Sequence, residues 1–348
     1  MGDILHALPA VTALRAAHPE WHIGWVVDPR WRALLQAGDE DPGQQGKSRP
    51  ERGAMRPLVD RLYFAPAKEW GRRPLTMQTA REIAGLRRLL RAGQYHAVID
   101  LQGAIRSAVI ARMAGARRVI GEMHPRERAA RTLFSERVAT HGAHVIDQDI
   151  ELAAAIAGDA LSYAAPLLPV SPAAEAGVDA ALAAAAGRPV ALLTPGAGWG
   201  AKRWPPERYA AVAKALAARG MHVLVNSGPG EEELARAIEQ GSNGAARPVT
   251  ASLDELIALT RRIALCIGGD TGPLHLACAL ARPVLGIYGP TDPSRNGPYG
   301  TRFTVLRHPH SRRDHSRRPE PEAGLLTITP EDVLDSAEAL LAGENRQR

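Results

Sequence analysis

Asp270-Thr271-Gly272 follows Gly268-Gly269 and a short apolar run, and it opens a stretch with helical apolar spacing. His275, four residues beyond Thr271, returns to the same helix face one turn on. Backbone N–H groups at a helix start carry partial positive charge, so phosphate is the natural guest of such a turn. Capping the helix is the other role open to Asp270. Two further turns of the same kind precede it. TPGAGWGAKRW, from Thr194 to Trp204, has glycines, Gly198 among them, that permit close backbone approach, and Lys202 supplies a mobile point charge for a diphosphate. NSGPGE, from Asn226 to Glu231, ends in a carboxylate that can accept from ribose hydroxyls or merely suit a first helical turn. Three such turns at the ends of neighbouring strands describe a nucleoside-diphosphate pocket.

The first half of the chain offers a carboxylate and cations instead. Asp3, in a Gly2-Asp3 turn, can take a proton from an attacking hydroxyl or cap the helix that follows. DLQGAIRS, from Asp100 to Ser107, ends another strand with Asp100, Gln102 and Arg106 at its mouth, where Arg106 can hold an anionic acceptor; Arg126 and Arg128 can join it.

Strands alternating with helices position these groups. Buried-strand patterns cover 22–27, 59–64, 97–101, 118–121, 190–194, 222–226, 263–267 and 284–288. Helical spacing covers 77–92, 104–114, 145–157, 173–186, 207–219, 231–239, 253–261, 274–281 and 329–341, with a short helix near 31–35. Residues 39–55 form a polar insertion, and 158–172 is irregular enough for a linker. The alternation predicts an α/β chain with parallel sheets in two doubly wound domains, divided as 1–160 and 161–348 and facing across a cleft. The N-terminal domain begins with helical spacing where a first strand is expected.

Composition narrows the function class. Net charge is +6 and the isoelectric point about 9.7, which favours anionic company. No nucleic-acid signature accompanies that charge, because the basic residues are spread over several helices. The block RHPHSRRDHSRR, Arg307 to Arg318, reads as a solvated basic loop or as a binding segment. No apolar run reaches membrane-spanning length, and no secretory signal is visible. Cys266 and Cys278 suit small core positions and lack CxxC spacing, which points to a reducing cytoplasm and away from zinc. A dehydrogenase is disfavoured because no GxGxxG follows a first strand.

MGDILHALPAV, VIDLQGAIRSA, PGAGWGAKRWPPERY and GGDTGPLHLACALARPVLGIYGPTDP, in this order, resemble the motifs of the ADP-heptose:lipopolysaccharide heptosyltransferase family. The resemblance implies a GT-B fold of two Rossmann-like domains, the acceptor bound by the first and the nucleotide sugar by the second. It implies inverting, metal-independent and cofactor-free transfer of heptose from ADP-L-glycero-D-manno-heptose to the Kdo or inner-core region of lipopolysaccharide. The setting would be the cytoplasmic face of the inner membrane, with peripheral contact and no nucleic acid. By resemblance Asp3 is the general base, Lys202, Asp270, Thr271, Gly272 and His275 hold the donor, and Glu231 contacts the ribose. Domain closure would align the two halves. The family often has hydroxyl side chains ahead of its lysine; here Ala197 and Gly198 leave that work to backbone N–H groups.

Overall fold

The computed structural model describes residues 1–38, 52–313 and 318–343. Residues 39–51 of the polar insertion and residues 314–317 of the basic block lie outside the described residues. Two compact units divide the chain, 3–170 and 171–348. The division falls at Val170/Ser171 rather than at 160/161. Val170 N donates to Ala54 O at 2.8 Å and Leu168 is buried, so the irregular segment packs on the first unit almost to its end.

In the first unit the elements run α1 (Gly2–Ala17), β1 (Gly24–Val27), β2 (Arg61–Phe64), α2 (Ala67–Arg72), α3 (Met77–Ala92), β3 (Ala97–Asp100), α4 (Ile105–Met113), β4 (Arg118–Glu122), β5 (Glu136–Val138) and α5 (Val145–Ala157). All strand pairs are parallel, but they form two sheets, β1-β2 and β3-β4-β5. The single doubly wound sheet expected for this half is thus split; β1 and β3 do not pair, and no described strand joins the sheets. Strand β1 begins at Gly24 rather than at residue 22.

Helix α1 is buried without interruption from Leu5 to Arg15. Such a helix needs its one buried cation neutralised. Arg15 bonds Asp60 at 2.5 Å and donates to the carbonyls of Leu58, Pro19 and Trp21, while Ile23 N also reaches Asp60. This network ties α1 to the segments leading into β1 and β2. Helix α3 starts where Thr76 Oγ1 accepts from Thr79 N, and α5 ends at Gly158 with φ 81°, a left-handed cap that glycine tolerates.

The second unit runs α6 (Pro172–Leu182), β6 (Val190–Thr194), α7 (Pro206–Ala218), β7 (His222–Asn226), α8 (Glu232–Gly241), β8 (Ala246–Val249), α9 (Leu253–Thr260), β9 (Leu265–Gly268), α10 (Gly272–Ala279), β10 (Val284–Tyr288), α11 (Pro293–Asn296), β11 (Phe303–Arg307) and α12 (Pro330–Leu341). Its six strands form one parallel sheet in the order β11-β10-β9-β6-β7-β8. Counted within the unit, this is the doubly wound order of dinucleotide-binding folds. Strands β6, β7, β9 and β10 are buried at every position, as helices on both faces require. Leu193, Trp204, Tyr209, Val225, Ile267, Ile287 and Val333 share one core, which also holds Leu340 from the final helix. Cys266 and Cys278 are both free and buried.

The strand order reverses between β6 and β9, and ligands of open α/β sheets bind outside the carboxyl ends of the strands at that point. The turns after β6 and β9 are the two that carry Lys202 and Asp270.

Candidate functional site

In the second unit, the turn after β6 closes with a single 3-10 turn, Gly200–Lys202. A distant segment clamps it: Ala201 N donates to Arg318 O at 3.0 Å and Glu322 N to Ala201 O at 3.2 Å. A Cβ added at Gly200 would lie 1.6 Å from the Pro319 carbonyl oxygen. Gly200→Ala is therefore expected to lower the second unit's stability by about 1–3 kcal/mol, the usual cost of overpacking, read as a fall in its thermal midpoint. An unchanged midpoint would show that the 318–322 segment yields freely.

Held this way, Lys202 Nζ reaches Asp270 Oδ2 at 2.5 Å and the Asp270 carbonyl at 3.4 Å. The ammonium lies 4.4 Å from the centroid of the Trp199 ring. Asp270 Oδ1 lies 2.9 Å from His275 Nε2, and both Lys202 and Asp270 side chains are 11% exposed. Burial alone would raise the Asp270 carboxyl, but the His275 and Lys202 partners outweigh it and hold it well below the usual carboxylate range. An ionised carboxylate only accepts, so His275 Nε2 carries the proton of this bond. Thr271 rather than Asp270 stands at the N-cap of α10, and Asp270 pairs with Lys202 and His275. Thr271 is the N-cap residue of α10, makes no side-chain cap bond, and has its hydroxyl oxygen buried without a partner. The first N–H groups of α10, from Gly272 onward, have no intrahelical acceptor and carry the helix's positive end.

Glu231, just before α8, accepts from Gly228 N at 3.1 Å. Its carboxylate also lies where a Cβ at Gly196 would be, 2.1 Å away. The turns after β6 and β7 thus meet at this carboxylate, and Gly196 must be glycine for them to do so. Gly198 is exposed, and an added Cβ there would meet nothing within 4 Å. In the loop after β10, Asp292 caps α11 through Ser294 N and pairs with Arg313, while Arg307 donates to the carbonyls of Gly289 and Ser311. Part of the basic block therefore holds this loop, although Arg313 itself stays exposed.

Asp3 lies in the first turn of α1 and does not cap it. Its Oδ2 accepts from Gln102 Nε2 at 3.0 Å and lies 3.9 Å from Arg126 NH1, with the Asp3 side chain 59% exposed. Gln102 and Arg126 come together because Gly103 turns with φ +64°, and an added Cβ there would press on Arg126 N at 3.0 Å. Glu127 N donates to Gly103 O, and the Glu127 carboxylate accepts from Ile105 N at 2.9 Å. Nothing in the spacing singled out Glu127, because its partner is a backbone N–H twenty-two positions back.

Asp100 has another task than facing a ligand. It is buried, and its oxygens accept from Gln102 N, Gly103 N and the Ser107 hydroxyl at 2.9–3.1 Å. Burial pushes its carboxyl up, and the two backbone donors and Ser107 offset this in part. Asp100 builds the turn that presents Gln102. Arg106 is exposed on the first turn of α4; Gly2 is the first residue of α1. Arg128 lines a surface pocket of about 540 Å³ with Met123, His124, Pro125 and Arg131. Among the described residues no group of three His, Cys, Asp or Glu side chains is placed to hold a metal.

A sequence profile of glycosyltransferase family 9 (heptosyltransferase) matches residues 83–325. Lipopolysaccharide heptosyltransferase 1 of Escherichia coli K12 is 27% identical over 351 residues, covering 98% of this chain and 97% of its own. The enzyme of the same name from Pseudomonas aeruginosa is 29% identical over 308 residues, covering 86% and 79%. The solved structure of the E. coli heptosyltransferase WaaC with ADP superposes with a TM-score of 0.74 at 25% identity, covering 97% of this chain and 96% of that one.

Proposed function

The chain belongs to glycosyltransferase family 9, the heptosyltransferases, and from that premise we propose that it transfers heptose from ADP-L-glycero-D-manno-heptose to the Kdo or inner-core region of a lipopolysaccharide precursor, with inversion and without a metal. The observation that carries this reading is the Lys202–Asp270–His275 cluster at the strand-order reversal of the second unit. The ammonium has three N–H donors. Asp270 takes two through its carboxylate and carbonyl, which leaves one for a phosphoryl oxygen. The start of α10 at Thr271 and Gly272 adds backbone donors. Together they supply the positive field that a departing diphosphate needs. Glu231, fixed beside the turn after β6, takes the ribose hydroxyls.

The first unit contributes the base. Asp3 removes the proton of the acceptor hydroxyl as its oxygen bonds the anomeric carbon. The anomeric carbon–phosphate oxygen bond breaks on the opposite face, and ADP departs with the electron pair. Gln102 orients the carboxylate, and Arg126, with Arg106 on the first turn of α4, receives an anionic group of the acceptor. A relative solved with ADP and relatives named for lipopolysaccharide support the donor and the acceptor. The charge of +6 suits an acidic glycolipid at the cytoplasmic face of the inner membrane. Among the described residues no helix is long and apolar enough to cross a membrane.

A thermal-shift titration with ADP, UDP, GDP and NAD tests the donor first. A ligand that binds only the folded state raises stability by about 2.7 kcal/mol at a hundred times its dissociation constant, so ADP is expected to raise the midpoint selectively. Turnover of ADP-heptose on a Kdo-bearing lipid should follow. A preference for UDP or GDP would keep the glycosyltransferase and remove heptose; binding of ADP without turnover would favour a nucleotide-sugar binding protein.

A further inference from the structure

Among the described residues, six side-chain polar atoms are buried with no hydrogen-bond partner. Three of them, Trp199 Nε1, Thr271 Oγ1 and Thr291 Oγ1, belong to the turns that follow β6, β9 and β10. Folded proteins leave few such atoms unmatched, and an indole N–H can only donate. A tryptophan placed for packing alone gains nothing from burying that donor, since a phenylalanine fills similar space without it.

The turn around Trp199 sharpens the point. Between Thr194 and Lys202 it reads Pro, Gly, Ala, Gly, Trp, Gly, Ala, so Trp199 is its one side chain with a hydrogen-bonding group. The same ring lies under the Lys202 ammonium, 4.4 Å from centroid to Nζ. That contact fixes the direction of the ring, whose single N–H is buried without a partner. A donor beside a cation selects an acceptor that carries negative charge rather than a neutral hydroxyl or a base edge.

We infer that Trp199 binds the donor: its indole N–H donates to a phosphoryl oxygen of the nucleoside diphosphate, while its ring face holds Lys202 for a neighbouring oxygen. The inference rests on the reading of the second unit as the nucleotide-sugar site. It makes Trp199 a residue of diphosphate recognition, distinct from those that recognise the nucleoside.

The test compares wild type with Trp199→Phe, which keeps an aromatic face and removes the N–H. Titration calorimetry with ADP and with adenosine separates the two halves of the ligand. ADP affinity is expected to fall about 10- to 100-fold, the range of a hydrogen bond to a charged group, while adenosine affinity stays unchanged. In the 15N–1H spectrum of the wild-type protein, the Trp199 indole resonance should move downfield with ADP and not with adenosine. Elimination among the remaining tryptophans assigns that resonance even if Trp199→Phe does not fold. Equal ADP affinity in the two proteins, an equal loss of adenosine, or an indole resonance indifferent to ADP would overturn the inference. If wild type binds ADP and only the variant comparison fails, the donor assignment stands and Trp199 falls. If wild type binds none of ADP, UDP and GDP, both fall.

Discussion

Asp3→Asn is expected to lower kcat by about 10²- to 10⁴-fold, the usual contribution of a positioned general base, while ADP affinity stays within about twofold. The two readouts part because Asp3 belongs to the first unit and Lys202, Asp270 and His275, the proposed donor groups, to the second. Asparagine keeps the size of the side chain and can still accept from Gln102 Nε2. The residue is 59% exposed, so the substitution should leave stability within about 0.5 kcal/mol, and a fall in turnover cannot be ascribed to unfolding. Gln102→Ala gives a companion result: without its orienting N–H the base survives but points less well. Its kcat should fall by less than that of Asp3→Asn. Single-turnover kinetics with saturating donor measure both. Undiminished turnover in Asp3→Asn would place the base elsewhere, and a parallel loss of ADP binding would make Asp3 structural.

The second unit was legible in the sequence because its strands are buried on both faces. Continuous apolar runs at 190–194, 222–226 and 284–288 coincide with β6, β7 and β10, and glycine-rich turns mark their ends. The strands that were not read all lack that burial. Ala246–Val249 is an edge strand with Arg247 and Pro248 exposed, Phe303–Arg307 alternates, and Glu136–Val138 has three residues. Strand β9 begins at Leu265, two residues after the apolar run does, and α10 begins at Gly272 rather than Leu274, because Thr271 takes the cap position. The site followed the same logic. Residue types and turns picked out Lys202, Asp270, His275 and Asp3 as candidates, yet nothing local distinguishes a capping aspartate from one paired with a lysine sixty-eight positions earlier. The orphaned indole of Trp199 is likewise a property of packing, and spacing carries no trace of it. Asp100 looked like a group at the mouth of a strand, whereas its turn folds back over it and uses its oxygens.

Lys202→Ala carries the second large effect, and it acts on two quantities at once. On catalysis, it removes the one mobile cation among the proposed donor groups. Loss of a single preorganised donor to developing charge costs about 10²- to 10³-fold in kcat, and kcat/KM should fall further because the ground-state diphosphate loses the same contact. On stability, it leaves a buried carboxylate with His275 as its remaining side-chain partner. Breaking a buried pair from one side costs about 3–5 kcal/mol. Some relaxation toward water should reduce that here, since both side chains keep 11% exposure.

The pH dependence gives this prediction a sign that simple loss of packing would not have. In the wild-type protein the Asp270 carboxyl is held well below its usual range, so its stabilising contribution is complete above the ordinary carboxylate pKa of about 4. As pH falls through and below that value, the unfolded chain takes up a proton that the folded chain refuses, and stability declines. Without Lys202 the folded carboxyl titrates closer to the unfolded one. The variant should therefore start less stable at neutral pH and lose less on acidification from about pH 5 to pH 3. Thermal midpoints of both proteins across that range decide the matter: converging curves identify the Lys202–Asp270 pair as the source of the difference, and parallel curves would trace it to packing around Trp199 instead.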